Sequence, residues 1–406
     1  MSGDQDGGSM TKPVKTGIVL SGGGARGAYE VGVIAGLVEV LGLGPEDDAP
    51  FQVYTGTSVG AINVSFLAAN AQRGDMGTRQ LIEVWSQLNL AAHFRLDLFG
   101  LSDLKQRMLG RQRRLGGRAL LDADALEDMV ESAIPWDRLH SNIRTGVVDS
   151  LVVTALRVYD GQTTLFVESA PDRAFKPSRD PRRTATETRI TSDTVLASAA
   201  IPFVFPIRSI SGQWYCDGSL RFNTPIAPAI RGGAEKLVVI SLLHRTSTGP
   251  DPSLTAPYPS PVTLLGKVLN ALLLDPVNYD LQVLRRLNRI LDVLDEAIDE
   301  SARGEVDRVT IDTRGMPYQQ LDTLVFSPSH DLGEVAGQHL RQMGPRRGLG
   351  RVGDWFLRRA ARESATWELD LASYVLFDGD YAARLIEIGR SDAHQRADEI
   401  RAFFES

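Results

Sequence analysis

Two units of the same kind stand near the start of the sequence, each a short apolar strand, a glycine-containing turn and an apolar helix. In the first unit, a predicted strand at residues 16–21 precedes a glycine run, and a predicted helix at residues 28–41 follows it. In the second unit, a predicted strand at residues 51–55 precedes a predicted helix at residues 61–71. Successive strand–turn–helix units form parallel sheets with right-handed crossovers, so this pattern predicts an α/β fold.

Later segments add antiparallel strands to this parallel core. Residues 151–158 and 163–167 flank the pair Asp160-Gly161, a favoured turn sequence, and therefore predict a hairpin. Residues 237–242 predict a further buried strand. We therefore predict a three-layer α/β fold, in which helices flank a mixed, largely parallel central sheet.

Changes in composition along the chain predict its domain organisation. Residues 1–13 lack apolar periodicity and predict a flexible tail, which precedes an α/β domain at residues 14–245. Within that domain, residues 91–145 predict a helical insertion that is a candidate lid. Residues 246–261 are rich in Pro, Ser and Thr and predict a linker. Residues 262–406 predict a mainly helical C-terminal region.

The composition of the 406-residue chain excludes several classes of protein. Hydrophobic residues make up 43% and charged residues 23%, which excludes disordered, collagenous and disulfide-scaffold chains. The 44 basic and 51 acidic residues give a net charge of −7, which argues against a nucleic-acid partner. The single cysteine, Cys216, has no partner for an internal disulfide. Without an apolar signal core or a run of about 18 apolar residues, the sequence predicts a cytoplasmic protein.

The segment Gly56-Thr57-Ser58-Val59-Gly60 matches the pattern Gly-x-Ser-x-Gly, which is typical of a nucleophilic serine. The pattern requires a tight strand-to-helix turn, because the serine oxygen must project at the carboxyl edge of the sheet. Glycines at both flanking positions permit the close backbone approach of such a turn. A turn serine or a helix cap is the alternative interpretation of Ser58.

The glycine run near the start of the chain has two interpretations. As a Gly-x-Gly-x-x-Gly pattern, it would bind the pyrophosphate of a dinucleotide at a helix N-terminus. As an oxyanion hole, it would offer backbone N–H groups, foremost those of Gly23 and Gly24, to a developing alkoxide. The oxyanion interpretation is favoured, because the second strand ends at a candidate nucleophile and not at the acid that dinucleotide binding needs. We expect Arg26 to be exposed at the start of the helix. The residues of this loop are Gly22, Gly23, Gly24, Ala25, Arg26 and Gly27.

A nucleophilic serine needs a base, and none of the six histidines stands in a sequence setting that indicates catalysis. A carboxylate is the other choice. Residues 209–219 predict a hairpin or a strand that ends on the pair Asp217-Gly218, which places Asp217 on a turn at a strand end. An ordinary Asp-Gly turn is the alternative interpretation. The six histidines are His93, His140, His244, His330, His339 and His394.

Four motifs in one order resemble those of the patatin-like phospholipase family. Residues 22–27 resemble its glycine-rich oxyanion loop, and residues 56–60 resemble its nucleophile elbow. Residues 197–202 resemble its Ala-Ser-x-x-x-Pro segment, and residues 217–218 resemble its Asp-Gly pair. The resemblance extends over about residues 14–243, which makes the α/β domain at residues 14–245 the expected catalytic domain.

The resemblance implies a lipid acyl hydrolase that needs neither a cofactor nor a metal. In this family a serine–aspartate dyad acts, so Ser58 would attack the carboxylic ester of a phospholipid or lysophospholipid and Asp217 would accept its proton. Gly56 and Gly60 would shape the elbow. Gly218 would complete the Asp-Gly motif, but Ser219 departs from the family pattern, which usually has glycine or alanine at that position. This hydroxyl beside Asp217 is expected to alter its hydrogen bonding.

Two alternatives to this function stay open at the sequence level. One is an α/β-hydrolase esterase in which His244 or His394 completes a Ser-Asp-His triad. The other is a non-enzymatic protein that binds a nucleotide or phosphate in the loop at residues 22–27. Basic segments at residues 94–118 and 341–362 are candidates for peripheral contact with an anionic membrane, and solvated helix faces are the simpler interpretation of them in an acidic chain. The sequence leaves the oligomeric state open.

Overall fold

The computed structural model describes residues 14–88, 124–202, 204–244, 276–342 and 372–405, and it has a mixed sheet of nine strands between layers of helices. The strands are β1 (Thr16–Leu20), β2 (Val53–Thr57), β3 (Ser150–Arg157), β4 (Thr163–Ser169), β5 (Arg183–Glu187), β6 (Arg208–Ile210), β7 (Gln213–Asp217), β8 (Lys236–Ile240) and β9 (Asp322–Phe326).

The helices fall into two groups along the chain. Those of the first half are α1 (Gly27–Leu41), α2 (Val59–Ala69), α3 (Thr78–Ser86), α4 (Asp124–Ala133), α5 (Trp136–Arg144), α6 (Ser192–Ser198) and α7 (Ile226–Arg231). Those of the C-terminal region are α8 (Pro276–Ala297), α9 (Glu300–Arg314), α10 (Leu332–Gln342), α11 (Gly379–Gln395) and α12 (Ala397–Glu405).

The sheet confirms the predicted mixed, largely parallel α/β fold. Its main order is β5-β4-β3-β2-β1-β8-β9, and the pairs from β3 through β2, β1 and β8 to β9 are all parallel. The predicted hairpin of β3 and β4 is antiparallel, as is the hairpin of β6 and β7 that ends at Asp217. These four pairs require crossover connections, which the helices supply, and β4 and β5 form a fifth parallel pair.

Alternation along the strands explains why the sheet carries helices on both faces. Ile18 and Leu20 of β1 belong to the larger core cluster, which includes α1 and α2, whereas Val19 belongs to a second cluster with α7 and α8. Successive side chains of a strand point to opposite faces, so a strand that is apolar throughout must be covered twice. This arrangement is the three-layer architecture that the continuous apolar strands predict.

Much of the predicted insertion and the whole predicted linker lie outside the described residues. The predicted tail, residues 1–13, and the basic segment at residues 94–118 also lie outside the described residues. Of the basic segment at residues 341–362, only residues 341 and 342 are described, at the end of α10. Within the insertion, the described residues 124–145 are mainly helical and form α4 and α5. No helix in the described ranges is long and apolar enough to cross a bilayer.

The C-terminal region is mainly helical, and it also contributes a strand that the sequence analysis did not predict. Strand β9 pairs in parallel with β8, from Asp322 opposite Lys236 to Phe326 opposite Ile240. It covers the edge of the sheet that β8 would otherwise expose, so the chain segment after residue 262 completes the sheet of the first half. Helices α8 and α9 precede β9 along the chain, and α10 follows it.

Helix α11 packs closely on α1, because both helices present glycine at their contact. A Cβ atom at Gly32 of α1 would overlap the carbonyl oxygen of Ile386 in α11, and one at Gly36 would lie 2.7 Å from the Cβ of Ala393. The Tyr29 hydroxyl donates a hydrogen bond to Asp392 Oδ2 at 2.9 Å across the same contact. The backbone of the C-terminal region thus lies against the first helix of the α/β domain.

We expect the substitution Gly32→Ala to destabilise the protein, whereas Gly304→Ala in α9 should stabilise it slightly. The added methyl group at position 32 has no space and must separate α11 from α1, at a cost of about 1–3 kcal/mol. Nothing lies within 4 Å of a Cβ atom at Gly304, so alanine there gains about 0.5–1 kcal/mol of helix propensity. Urea unfolding of both variants measures the two free energies, and equal effects of the two substitutions would contradict this close packing.

Candidate active site

The register of β3 brings the ends of two other strands together. Thr57, the last residue of β2, pairs with Thr154 of β3, and the next residue of β3, Ala155, pairs with Asp217, the last residue of β7. Strand β4 occupies the other side of β3, so β2 and β7 share one side and run in opposite directions. They meet end to end, which places Ser58 against Asp217.

The Ser58 hydroxyl donates a hydrogen bond of 2.6 Å to Asp217 Oδ2. Both residues are buried, with 2% of Ser58 and none of Asp217 exposed. Direct contact between an alcohol and a carboxylate in a buried site is an arrangement in which the carboxylate can accept the hydroxyl proton during nucleophilic attack. The structure thus brings together the two residues that the sequence analysis selected as nucleophile and base.

The backbone of Ser58 has a conformation that residues other than glycine rarely adopt. Its φ is 56° and its ψ is −127°, between the end of β2 and the first residue of α2. Neighbouring backbone leaves no room for side chains on either flank: a Cβ atom at Gly60 would lie 2.5 Å from the Leu20 carbonyl oxygen, and one at Gly56 would overlap the Gly60 carbonyl oxygen. This geometry is the sharp turn that the Gly-x-Ser-x-Gly pattern predicts.

Ser198, at the end of α6, holds this turn in place. Its hydroxyl oxygen accepts a hydrogen bond of 2.8 Å from the Ser58 backbone N–H and donates one of 2.6 Å to the Thr154 carbonyl oxygen. Nearby, the Ala200 carbonyl oxygen accepts a hydrogen bond of 2.9 Å from the Asp217 backbone N–H. The Ala-Ser-x-x-x-Pro segment therefore contacts both sides of the dyad, a role that the sequence analysis did not assign to it.

The carboxylate of Asp217 accepts three hydrogen bonds. Besides the Ser58 hydroxyl on Oδ2, its Oδ1 accepts one of 2.8 Å from the Ser219 backbone N–H and one of 2.5 Å from the Ser219 hydroxyl. Burial raises the pKa of Asp217 to about 6, although the hydrogen bonds from Ser219 and Ser58 lower it in part. Asp217 is therefore a stronger base than an exposed aspartate. As expected from the sequence, the Ser219 hydroxyl adds a hydrogen bond to Asp217 Oδ1, beside the one from the Ser219 backbone N–H.

The glycine loop lies directly beside Ser58. A Cβ atom at Gly22 would stand 3.0 Å from the Cβ of Ser58, and the Gly22 N–H donates to the Asn223 side chain at 2.8 Å. In the described ranges, the N–H groups of Gly23 and Gly24 have no hydrogen-bond acceptor. Residues 24–26 form a 3-10 turn that leads into α1, so the loop stands at the positive end of a helix dipole. Such N–H groups are suited to bind an oxyanion next to the serine.

The expectation that Arg26 is exposed is wrong. Only 3% of the residue is exposed, because a segment of the C-terminal region covers it. The Arg26 Nε atom donates a hydrogen bond of 2.7 Å to the Ser373 hydroxyl, and its guanidinium carbon lies 4.3 Å from the ring centre of Tyr374. A Cβ atom at Gly24 would overlap the Tyr374 carbonyl oxygen. Stacking on an aromatic ring stabilises a desolvated arginine through the ring's quadrupole.

A second buried carboxyl group, Glu30, lies behind the glycine loop. The Asn63 amide donates to Glu30 Oε2 at 2.9 Å and to the Gly27 carbonyl oxygen at 3.1 Å. The Trp85 indole N–H donates to Asn63 Oδ1 at 3.1 Å and fixes the amide in this orientation. Burial raises the pKa of Glu30 well above its usual value, although hydrogen bonds from Asn63 and from the Ser21 backbone lower it. Neither Glu30 nor Asn63 belongs to a motif, so neither can be identified from the sequence alone.

None of the histidines in the described part of the chain contacts the dyad. His244 lies 2.8 Å from the Pro328 carbonyl oxygen, and His394 lies 2.8 Å from Glu39. His140 and His339 contact Glu168 and Asp378. The described residues also contain no group of three His, Cys, Asp or Glu side chains that could hold a metal ion. The alternative in which His244 or His394 forms a triad with Ser58 and Asp217 is therefore wrong, because both histidines contact other residues.

Comparison with known proteins identifies relatives for the α/β domain. Residues 18–230 match the family described as patatin-like phospholipase. The sequence is also 26% identical over 231 residues to the uncharacterized protein YjjU of Escherichia coli strain K12. That alignment covers 56% of this chain and 52% of YjjU, so it spans about half of the relative's length.

Two solved structures are similar over most of this chain at low sequence identity. VipD from Legionella pneumophila has a TM-score of 0.36 and 14% identity, with 96% of this chain and 68% of VipD covered. Human GIVD cytosolic phospholipase A2, in complex with methyl gamma-linolenyl fluorophosphonate, has a TM-score of 0.39 and 12% identity, with 97% and 59% covered. The family match extends over more than half of the chain and includes all four motifs, so the protein belongs to the patatin-like phospholipase family, a family of lipid acyl hydrolases.

Proposed function

We propose that this protein cleaves carboxylic ester bonds of phospholipids or lysophospholipids through an acyl intermediate on Ser58. The observation that carries the proposal is the 2.6 Å hydrogen bond from the Ser58 hydroxyl to the buried carboxylate of Asp217. The family match supports a lipid acyl hydrolase in general. To this family-level activity the proposal adds the phospholipase A or lysophospholipase type and the roles of the individual residues.

In the first half of the reaction, the Ser58 oxygen attacks the ester carbonyl carbon while Asp217 Oδ2 accepts the hydroxyl proton. The carbonyl oxygen becomes an oxyanion, which the N–H groups of Gly23 and Gly24 stabilise. Removal of a single such donor costs hydrolases about 10²–10³ in rate. When the intermediate collapses, the carbon–oxygen bond to the leaving alcohol breaks, and the alcohol takes the proton from Asp217. The products of this half are the free alcohol and acyl-Ser58.

In the second half, water replaces the alcohol. Asp217 takes a proton from a water molecule as that water attacks the acyl carbonyl carbon, and the same N–H groups stabilise the second oxyanion. Collapse breaks the bond to Ser58, the Ser58 oxygen recovers its proton from Asp217, and the fatty acid leaves. A base that titrates near the working pH is best suited to this exchange of protons, and the pKa of Asp217 of about 6 supports that role.

The nucleotide-binding alternative has less support than the hydrolase. Dinucleotide binding by a Gly-x-Gly-x-x-Gly loop uses an acidic residue at the end of the second strand to bind the ribose. In this protein, Thr57 and Ser58 occupy that place, and the first glycine of the loop donates its N–H to Asn223. Calorimetric titration with NAD and with ATP tests this alternative, and measurable binding of either at the loop would favour it.

The substitutions Ser58→Ala and Asp217→Asn should each lower ester hydrolysis at least about a thousandfold, because each removes a reacting group. Hydrolysis of a short-chain nitrophenyl ester and of a lysophospholipid gives the two rates. Reaction with a fluorophosphonate, followed by mass spectrometry, should modify Ser58 in the unaltered protein.

The matched controls for these variants are His244→Ala and His394→Ala, which change histidines that do not contact the dyad. Both should retain hydrolysis within a few-fold of the unaltered protein. The proposed dyad would be refuted if Ser58→Ala or Asp217→Asn hydrolysed esters at nearly the rate of the unaltered protein. Loss of activity in a histidine variant that stays folded would refute it as well.

The substitution Ser219→Ala should move the acid limb of the pH–rate profile to higher pH by about one unit. The Ser219 hydroxyl donates to the ionised form of Asp217, so its removal makes that form less stable and raises the pKa of the base. Activity requires the ionised base, so Ser219→Ala should lose more activity at pH 6 than at pH 8. The profile of kcat against pH measures this shift, and Ser219→Thr, which keeps a hydroxyl group, should lie closer to the unaltered protein. A uniform loss at every pH would indicate a purely structural role.

A further inference from the structure

Three large apolar side chains are exposed together at the tips of two neighbouring hairpins. Val158 is 47% exposed and Tyr159 is 90% exposed, in the turn between β3 and β4, and Trp214 is 46% exposed on β7. The Val158 backbone N–H donates to the Trp214 carbonyl oxygen at 2.8 Å and joins the two hairpins at this point. We call the surface formed by Val158, Tyr159 and Trp214 the hairpin face.

The hairpin face lies on the edge of the sheet that carries the dyad. Trp214 stands three residues before Asp217 on β7, which corresponds to about 10 Å along a strand. Strand β3 likewise continues beyond Ala155, the partner of Asp217, to Arg157 and then to Val158. Both hairpins therefore project outward past the position where Ser58 meets Asp217. Any surface that binds the hairpin face would therefore also lie opposite the end of the sheet that carries the dyad.

Arginines lie beside the turn that carries Tyr159. Arg221 donates to the Gly161 carbonyl oxygen at 2.5 Å in the turn beside Tyr159, and the Arg182 side chain is 69% exposed next to β4. Around the two tips, residues 157–163, 180–183, 213–214 and 221 contain four arginines and two aspartates, Asp160 and Asp180. Both aspartates form ion pairs with arginines of this set, so the surface has an excess of positive charge although the chain is acidic overall.

We propose that the hairpin face is the docking surface for an anionic lipid bilayer and orients the active-site edge toward it. Tryptophan and tyrosine favour the boundary between head groups and acyl chains, because each has an apolar ring and a polar group. Arginine binds the phosphate of a head group through its planar fork of donors. This inference rests on the proposed lipid substrate, because an enzyme that takes substrate from a bilayer must present its catalytic edge to the bilayer.

A bilayer explains the hairpin face better than a protein partner does. The apolar part consists of three side chains at projecting tips, whereas a stable protein interface buries roughly 800 Å² on each partner. The excess of positive charge beside the turn matches the negative surface of a bilayer. The hairpin face also lies at the same end of the sheet as the dyad that would act on the lipid. The basic segments that predict membrane contact from the sequence lie outside the described residues, so the hairpin face is a separate prediction.

The double variant Tyr159→Ala/Trp214→Ala tests the docking surface in a Ser58→Ala background, which keeps the vesicles intact. Co-sedimentation with vesicles of phosphatidylglycerol and phosphatidylcholine measures the apparent Kd. Loss of two interfacial aromatic rings should weaken binding roughly tenfold or more. Tyr159→Phe/Trp214→Phe keeps the rings and should retain most of the affinity. Binding of the unaltered face should weaken with added salt and on vesicles of phosphatidylcholine alone.

The matched control is Ile290→Ala/Val293→Ala, which removes two apolar side chains that are 54% and 64% exposed on α8. This variant should bind vesicles as tightly as the parent, and a thermal melt of each variant shows that it is folded. Unchanged binding by Tyr159→Ala/Trp214→Ala, equal binding to neutral and anionic vesicles, or an effect of that variant on self-association alone would overturn the proposal. Because the assay measures binding without turnover, hydrolysis by Ser58→Ala would refute the proposed function and leave the docking result intact.

Discussion

The contact between Ser58 and Asp217 depends on how three strands share the sheet. Strand β3 is longer than β2, so its last residues have a free side after β2 ends at Thr57. Strand β7 fills that side from the opposite direction and ends at Asp217. Because the two strands meet end to end, Ser58, which follows β2, lies against Asp217, the last residue of β7. Their side-chain oxygens are 2.6 Å apart although the residues are 159 positions apart in the sequence. A change of one residue in the β3–β7 register would place Asp217 on the other face of the sheet.

The glycine loop has supports on both of its sides, and one of them comes from the far end of the chain. Helix α11 lies against α1, and the segment before it places Ser373 and Tyr374 on Arg26 of the loop. Strand β9 extends the sheet beyond β8. We therefore propose that the catalytic unit includes the C-terminal region as well as residues 14–245. The sequence predicts these segments as separate, because the four motifs all lie in the first part of the chain.

The sequence predicts those features of the fold and the site that depend on residues close together in the chain. Glycines on both sides of Ser58 are needed wherever a serine stands on a tight turn, so the pattern 56–60 indicates the turn without any knowledge of distant residues. The apolar strands and the Asp160-Gly161 hairpin are likewise local. The contacts of Ser198 and Ser373 depend on which distant segments meet, so neither the Ala-Ser-x-x-x-Pro motif nor the residues around Ser373 predict them. The hairpin face was missed for the same reason, since Val158 and Trp214 are neighbours only through the strand register.

The two buried carboxyl groups near the loop differ in a way that suits the proposed chemistry. Burial raises the pKa of Asp217 to about 6, and the hydrogen bonds to its carboxylate limit that rise, so the group is ionised at neutral pH and suits the proposed role of base. Burial raises the pKa of Glu30 well above 4.5, which favours its neutral form. A second negative charge behind the glycine loop would oppose the formation of an oxyanion in front of it, since the two charges repel in a medium of low dielectric constant. The neutral form of Glu30 avoids this repulsion, and the Asn63 amide that binds it also holds the carbonyl of Gly27 at the end of the loop. Burial and the donors around each carboxyl group therefore distinguish the proposed base, Asp217, from the structural acid Glu30 within one small region.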